Sequence, residues 1–128
     1  ETNYPGDYKA GHANSDWDSW NEDVARDAKW LNADAFPEIT FVSTAATKTG
    51  DLSGTVTGDL TLLGVTKPVT LDVSYNGVAN PPWFAGRDVI GFDASTTIMR
   101  SDFGMAAAIP NITDEVVVEF SGEFLQDE

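Results

Sequence analysis

A pattern of alternating residues between Gly54 and Tyr75 constrains the fold of this chain more than any other feature of its sequence. Apolar or small residues occupy every second position, and Thr, Asp and Ser residues lie between most of them. A period of two is typical of a β-strand that buries one of its faces. The connection Gly64–Pro68 interrupts the pattern with a glycine and a proline. We therefore predict two antiparallel strands joined as a hairpin, with one apolar and one polar face.

Other segments extend this pattern on both sides of the hairpin. Three further strands are predicted, at Ile39–Lys48, Asp88–Arg100 and Val116–Phe124. Between Asp16 and Ala33 the apolar residues fall near helical spacing, which predicts one helix capped by Ser15 or Asp16. Hairpin-connected strands of this length close most readily into a barrel or pack as a sandwich. The sequence therefore predicts an all-β fold with one short helix.

The connections differ in length and in what they are expected to do. Residues 1–15 have no periodicity and are predicted to be an irregular lead-in. Residues 76–82 are predicted to form a loop that is anchored by Trp83 and Phe84. The connection Ser101–Asp114 spans about 14 residues, which is long for a loop in a compact domain and indicates a functional or capping role.

Composition narrows the classes of function. The 128 residues form one domain, and the 41% of apolar residues are enough for a folded core. A formal net charge of -14 argues against nucleic acid or an anionic membrane as a partner. The sequence has no cysteine, which excludes disulfides, thiol nucleophiles and thiolate metal sites. It also has no apolar run of about 18 residues, so no membrane span is predicted.

Several blocks of sequence resemble the YceI family, the polyisoprenoid-binding, lipocalin-like proteins of bacteria. They occur in the order of that family and cover the chain from about Arg26 to its end. The two most specific blocks are Leu60–Val69 and Arg100–Gly104. The others are Arg26–Asp27, Leu31–Asp34, Phe36–Phe41, Val56–Leu62, Gly64–Leu71, Thr97–Met105 and Asp114–Val116.

The resemblance implies a fold, a ligand and a location. It implies one lipocalin-like antiparallel β-barrel domain over residues 1–128, in which an isoprenoid chain or a quinone lipid is bound without any other cofactor. The family has several strands before its helix, which residues 1–15 do not match. We therefore expect a barrel that is incomplete, or that other strands or a second copy in a homodimer complete. The resemblance also implies a periplasmic or secreted protein from which a signal peptide has been removed.

The candidate ligand-binding residues are the apolar side chains that face inward from the predicted strands. They would line a tube for the lipid; the alternative is that they only fill the core. These residues are Ile39, Phe41, Val56, Leu60, Leu62, Val69, Leu71, Val73, Ile90, Phe92, Ile98, Val118 and Phe120.

A second group lies at the start of the long loop. Arg100 could contact a quinone or pyrophosphate head, while Phe103 and Met105 cover the tail. The alternative is that Arg100 pairs with Asp102 and that Phe103 plugs the end of the barrel.

Two other features carry less information. The acidic residues between Asp16 and Asp23 resemble a calcium loop superficially, but they lack its glycine and are better explained by a capped helix. His12 is the only histidine, and no second catalytic residue type is spaced to work with it, so a solvated surface position is expected. The sequence thus predicts no metal site and no enzyme. It predicts an isoprenoid-binding protein, and the alternative is a structural or interaction module with a filled core.

Overall fold

Five antiparallel strands form a single sheet in the computed structural model, which describes residues 8–127. The strands are β1 (Thr40–Gly50), β2 (Ser53–Leu62), β3 (Val65–Ala79), β4 (Val89–Met99) and β5 (Glu115–Leu125). Two short α-helices precede them, α1 (Tyr8–Gly11) and α2 (Trp20–Arg26). Single 3₁₀ turns lie at Pro82–Phe84 and Arg100–Phe103. The predicted all-β, antiparallel class is confirmed.

The sheet is open. Its strands follow the order of the chain, so β1 and β5 form the two edges, and within residues 8–127 these edges are paired only on one side. The structure therefore presents an incomplete barrel wall rather than a closed barrel, as the departure at the start of the sequence led us to expect. None of the helices in the described part of the chain has the length and apolar character needed to cross a bilayer.

The strand register places the predicted apolar residues on one face, called the inner face below. Phe41 lies opposite Leu60, and Val56 lies opposite Leu71. Further along the sheet, Tyr75 pairs with Phe92. Cross-strand partners point to the same side of a sheet, so the alternation read from the sequence corresponds to one continuous apolar surface.

The hairpin between β2 and β3 is tighter than predicted. Its connection is the pair Leu63 and Gly64, which have φ angles of 53° and 72°. Two consecutive positive φ angles are the geometry of a two-residue turn whose twist matches that of the strands. The predicted connection Gly64–Pro68 is therefore wrong beyond Gly64, because Val65 already begins β3.

The next connection is also shorter than predicted. β3 continues to Ala79 after an irregularity between Tyr75 and Gly77, so most of the predicted loop 76–82 is strand. Trp83 is 77% exposed, and the prediction that it anchors this loop is wrong. Phe84 is only half-buried.

The helix begins later and is shorter than the sequence suggested. Ser19 is the N-cap, and its hydroxyl accepts a hydrogen bond of 3.2 Å from the Glu22 N–H. The predicted cap Ser15 instead accepts from the Trp17 N–H and bonds with the Tyr8 hydroxyl. Tyr8 also belongs to α1, so the predicted lead-in is not irregular throughout; its first seven residues lie outside the described part of the chain.

The buried core lies at one end of the inner face. Leu62, Ile98 and Phe103 pack together there, and Phe103 is only 2% exposed. Val65, Val69 and Val116 contact this cluster from the sheet, and Leu31 contacts it from the segment after α2. This end of the sheet is therefore covered by the helix segment and by the loop 101–114, while the other end is not.

Candidate functional site

A pocket of about 790 Å³ lies between the inner face and the segment that contains α2. It is called the deep pocket below. Its sheet side carries Ile39, Leu62, Ile98, Val116 and Val118, and its helix side carries Trp20, Val24, Trp30 and Leu31. The long loop adds Met105 and Ile112, and the polar lining residues are His12, Asp23, Lys29 and Arg100. A volume of this size is typical of sites for small organic ligands.

The helix side of the deep pocket is held in place by backbone hydrogen bonds. The Leu31 N–H donates to the Val24 carbonyl at 3.1 Å, and the Ala33 N–H donates to the Ala25 carbonyl at 2.8 Å. These bonds fold the chain after α2 back along the helix. Trp30 and Leu31 are thereby presented to the pocket even though the helix ends at Arg26.

Arg100 organises the loop that closes this end of the sheet. Its Nε donates to the Thr113 carbonyl at 2.8 Å. Its two terminal nitrogens donate to the carbonyl oxygens of Met105, Ala107 and Ile112 at 3.2–3.3 Å. A guanidinium has five N–H groups, and these five bonds use all of them. The Arg100 side chain is buried, and all of its hydrogen-bond donors are used to stabilise the loop.

This arrangement bears on the two interpretations of Arg100. The loop carbonyls, and not Asp102, take its hydrogen bonds in the described structure. The expected local pairing with Asp102 is therefore replaced by a bonding pattern that spans the whole loop. A direct contact between Arg100 and a lipid head stays a prediction, and such a contact would have to displace one of these bonds.

Asp114 fixes the other end of the same loop. Its carboxylate accepts from the Ser101 hydroxyl at 2.6 Å and from the Ser101 N–H at 2.7 Å. The Ser101 hydroxyl and then its N–H hold the pKa of Asp114 below its ordinary value, and the positive charge of Arg100 lowers it further. The two ends of the loop are thus hydrogen-bonded to each other, next to the end of β4 and the start of β5.

A polar network lies at the α1 side of the deep pocket. The Tyr8 hydroxyl donates to the buried Asp23 carboxylate at 2.8 Å, and Lys29 Nζ forms an ion pair of 3.1 Å with the other oxygen of Asp23. Burial raises the pKa of Tyr8; the hydrogen bond with Ser15 lowers it, and the bond to Asp23 raises it. Hydrogen bonding to Asp23 is the main reason that the pKa of Lys29 is raised, against the effect of burial.

His12 belongs to an aromatic cluster at this polar end. Its ring stacks on Tyr8 with centroids 4.5 Å apart, and Trp20 meets both rings edge-on at 4.8–5.0 Å. His12 Nδ1 lies 3.0 Å from the Tyr8 carbonyl oxygen, which can only accept a hydrogen bond. The predicted surface position is right in that His12 is exposed, but its ring is also packed and lines the deep pocket.

Comparison with known proteins identifies the family. The model of the YceI-like domain matches residues 8–124 of the chain.

The chain belongs to the YceI-like domain family.

Relatives agree with this assignment. A UPF0312 protein of Pseudomonas putida is 45% identical over 91 residues, which are 67% of this chain and 46% of the relative. A UPF0312 protein of Pseudomonas fluorescens is 40% identical over 97 residues, which are 72% of this chain and 50% of the relative. The chain therefore spans about half the length of these curated relatives.

Solved structures show the same fold. The crystal structure of a Campylobacter jejuni YceI protein is similar with a TM-score of 0.76 and 27% identity, covering 84% of this chain and 63% of that one. The crystal structure of BcnA from Burkholderia cenocepacia is similar with a TM-score of 0.65 and 28% identity, covering 79% and 61% of the two chains.

The candidate ligand-binding residues of this YceI-like domain fall into three groups. Six of them line the deep pocket: Ile39, Leu62, Ile98, Arg100, Met105 and Val118. Val56, Val73 and Phe92 line a second depression of about 280 Å³ at the far end of the inner face, called the shallow hollow below. The others, Phe41, Leu60, Val69, Leu71, Ile90, Phe103 and Phe120, line neither.

Residues on the edge strands are more exposed than the prediction of a tube implied. Ile39 is 62% exposed, and Val118 and Phe120 are 40% and 50% exposed. Ile39 directly precedes β1, and Val118 and Phe120 lie on β5. Both are edge strands, so each of these side chains has a neighbouring strand on one side only. Phe103 is instead more buried than the prediction of a tube implied. It belongs to the core, which agrees with the alternative that Phe103 plugs the end of the barrel.

Sequence reasoning missed the helix side of the site. Trp20 and Val24 lie near helical spacing in the sequence, which indicates a buried helix face but not a pocket wall. Trp30 follows the end of α2 and has no periodic signal. The acidic residues before it serve the helix: the Glu22 carboxylate accepts from the Asp18 N–H at 2.8 Å. Within residues 8–127, no three His, Asp or Glu side chains are grouped to hold a metal ion.

Proposed function

We propose that this YceI-like domain binds an isoprenoid lipid, such as a polyprenyl chain or a quinone with an isoprenoid tail, without catalysing a reaction. The tail lies against the inner face in the deep pocket, between the sheet and the helix side. The observation that carries this proposal is the composition of the pocket. Apolar side chains of the sheet face tryptophan and leucine side chains across an open space that the core does not fill.

The energetics favour a long apolar ligand. Each buried methylene contributes about 0.8 kcal/mol, so a five-carbon isoprene unit contributes about 4 kcal/mol in gross terms. Association costs on the order of 4–15 kcal/mol, so a few units are needed before binding becomes tight. Such binding depends on the buried area and requires no nucleophile or general base.

The polar end of the pocket suits the head of such a lipid. His12 is exposed, and the side chain of Lys29 is half exposed at the same end. A quinone carbonyl or a prenol hydroxyl placed there would face the Lys29 ammonium, while the tail extends towards Val116 and Val118. Arg100 lies on the loop side of the pocket, next to the strand pair Met99 and Glu115, and its N–H donors are used by the loop.

The structural alternative is a module whose apolar face is covered by protein alone. The two proposals differ in whether the purified full chain carries or takes up a lipid. Native mass spectrometry of the purified protein, before and after addition of a short-tailed ubiquinone, measures this directly. We expect an added mass equal to one lipid per chain. If no lipid co-purifies and added quinone is not taken up, the lipid-binding proposal is wrong.

A further inference from the structure

The deep pocket and the shallow hollow are separate depressions of the inner face. The deep pocket and the shallow hollow share no lining residue. On β2 the deep pocket includes Leu62, and the shallow hollow begins at Val56. Six residues of strand separate these positions, which corresponds to about 20 Å. A tail longer than the deep pocket would therefore have to cross the surface between them in order to bury its remaining units.

The side chain of Phe41 lies on that intervening surface. Phe41 pairs with Leu60 on β2, and its ring extends over the neighbouring position, Gly58. A Cβ atom added at Gly58 would lie 2.5 Å from the Val42 carbonyl oxygen of β1, 2.6 Å from Phe41 Cζ and 2.9 Å from Phe41 Cε2. The ring thus rests directly on the backbone of β2, and Gly58 is buried beneath it. Only a residue without a side chain leaves room for this contact.

We infer that Phe41, resting on Gly58, ends the path of the lipid tail and so determines how many isoprene units the protein buries. This inference rests on the proposed function. The ring occupies the β1–β2 side of the inner face between the two depressions. A tail in the deep pocket meets the ring before it reaches the shallow hollow, where the small residues Ala46 and Gly54 leave space beside Tyr75. The ring acts as a steric stop that selects for length.

The test measures affinity against tail length. Prenols of increasing length, from farnesol to solanesol, are offered as mixtures to the full chain, and the bound fractions are read by native mass spectrometry. For the unaltered protein, affinity rises with length and then reaches a plateau. In Phe41→Ala the plateau moves to longer tails, and the longest prenols bind at least about tenfold more tightly, since each further buried methylene strengthens binding several-fold. Farnesol binds with unchanged affinity.

A matched control and an opposite variant sharpen the test. Val42→Ala removes a neighbouring side chain from the other face of β1 and leaves the plateau where it is. Gly58→Ala adds a methyl group that meets both the Phe41 ring and the Val42 carbonyl oxygen, and by lifting the ring away from β2 it moves the plateau to shorter tails. Circular dichroism and the midpoint of thermal unfolding establish that each variant is folded, and Phe41→Ala still tests the inference if Gly58→Ala does not fold.

Each outcome has one meaning. Opposite shifts in Phe41→Ala and Gly58→Ala, or the shift in Phe41→Ala alone with Val42→Ala unchanged, support the inference. If the unaltered protein binds farnesol and the plateau is the same in Phe41→Ala, the inference is wrong while the proposed function stands. If the unaltered protein binds neither a prenol of any length nor the short-tailed ubiquinone, both are wrong.

Discussion

The guanidinium of Arg100 lies 5.7 Å from the centre of the Trp30 ring. Arg100 holds the loop 101–114, and Trp30 belongs to the segment after α2. The two segments that line the deep pocket opposite the sheet are therefore joined by one cation–π interaction. Arg100 holds the loop through its five hydrogen bonds. The residue that the sequence singled out as a candidate for contacting the lipid head is thus also the residue that holds the pocket together.

Replacing this arginine should be costly even when the charge is kept. Arg100→Lys retains a cation but cannot reach four separate carbonyl oxygens, so buried acceptors are left without donors. We expect a loss of about 2–4 kcal/mol in the free energy of unfolding, measured by urea denaturation. The control is Arg26→Lys, which alters an exposed ion pair with Asp34 and should cost less than about 1 kcal/mol. Equal losses in the two variants would contradict the role assigned to Arg100.

Phe103 should contribute to stability as a core residue. Phe103→Ala creates a cavity beside Leu62 and Ile98, and we expect it to lower the free energy of unfolding by about 3–5 kcal/mol. Phe124→Ala removes the same ring from the exposed end of the inner face, where it contacts Phe92 edge-on at 5.9 Å between centroids, and should cost less than about 1.5 kcal/mol. If both variants are equally mild in urea denaturation, Phe103 is not part of the core.

The hydrogen bonds from Ser101 to the Asp114 carboxylate, called the Ser101–Asp114 clamp below, should make the stability of the fold depend on acid pH. The pKa of Asp114 is below its ordinary value of 3.8 in the folded chain because of the Ser101 hydroxyl and N–H, so the charged form stabilises the fold. This stabilisation is present above pH 3.8 and is lost as the pH falls through the lowered folded pKa. Ser101→Ala should therefore be less stable than the unaltered protein at neutral pH, by an amount that shrinks in acid.

The measurement is urea denaturation of both proteins across the acid range. Thr66→Val serves as the control, because Thr66 bonds to the uncharged Thr61 hydroxyl at 2.8 Å. Its effect on stability should not change over the same range. A difference between Ser101→Ala and the unaltered protein that is constant with pH would argue against the clamp.

The faces of the strands could be predicted from the sequence because side chains alternate along a strand with a strict period of two. Val56, Leu71 and Phe92 were assigned to one face in this way, and the register confirms it. The alternation alone could not predict the state of the two edges; the expectation of an incomplete barrel came from the YceI family's strands before the helix, which residues 1–15 do not match. Whether β1 and β5 pair with anything depends on which other strands are present, and no property of the residues in β1 or β5 reports this.

The helix side of the candidate site could not be predicted from the sequence either. The sequence predicts Ser15 or Asp16 as the helix cap, but Ser19 takes that role while Ser15 bonds to Tyr8 and Trp17. The choice between them depends on the tertiary contact with Tyr8. The positions of Trp30 and of the carbonyl groups around Arg100 depend on irregular backbone, for which a sequence pattern has no period.

The central claim is that the inner face binds the lipid, and two adjacent valines on β5 test it most directly. Val118 points into the deep pocket and is 40% exposed, whereas Val117 points to the other face and is 58% exposed. Both positions can therefore carry a charged side chain in a folded protein. Uptake of a short-tailed ubiquinone by Val118→Glu and Val117→Glu is measured by native mass spectrometry at equal lipid concentration. We predict that Val118→Glu loses at least about 90% of the bound lipid, because a carboxylate must be desolvated beside the tail, and that Val117→Glu retains it. Equal uptake by the two variants would contradict binding at the inner face.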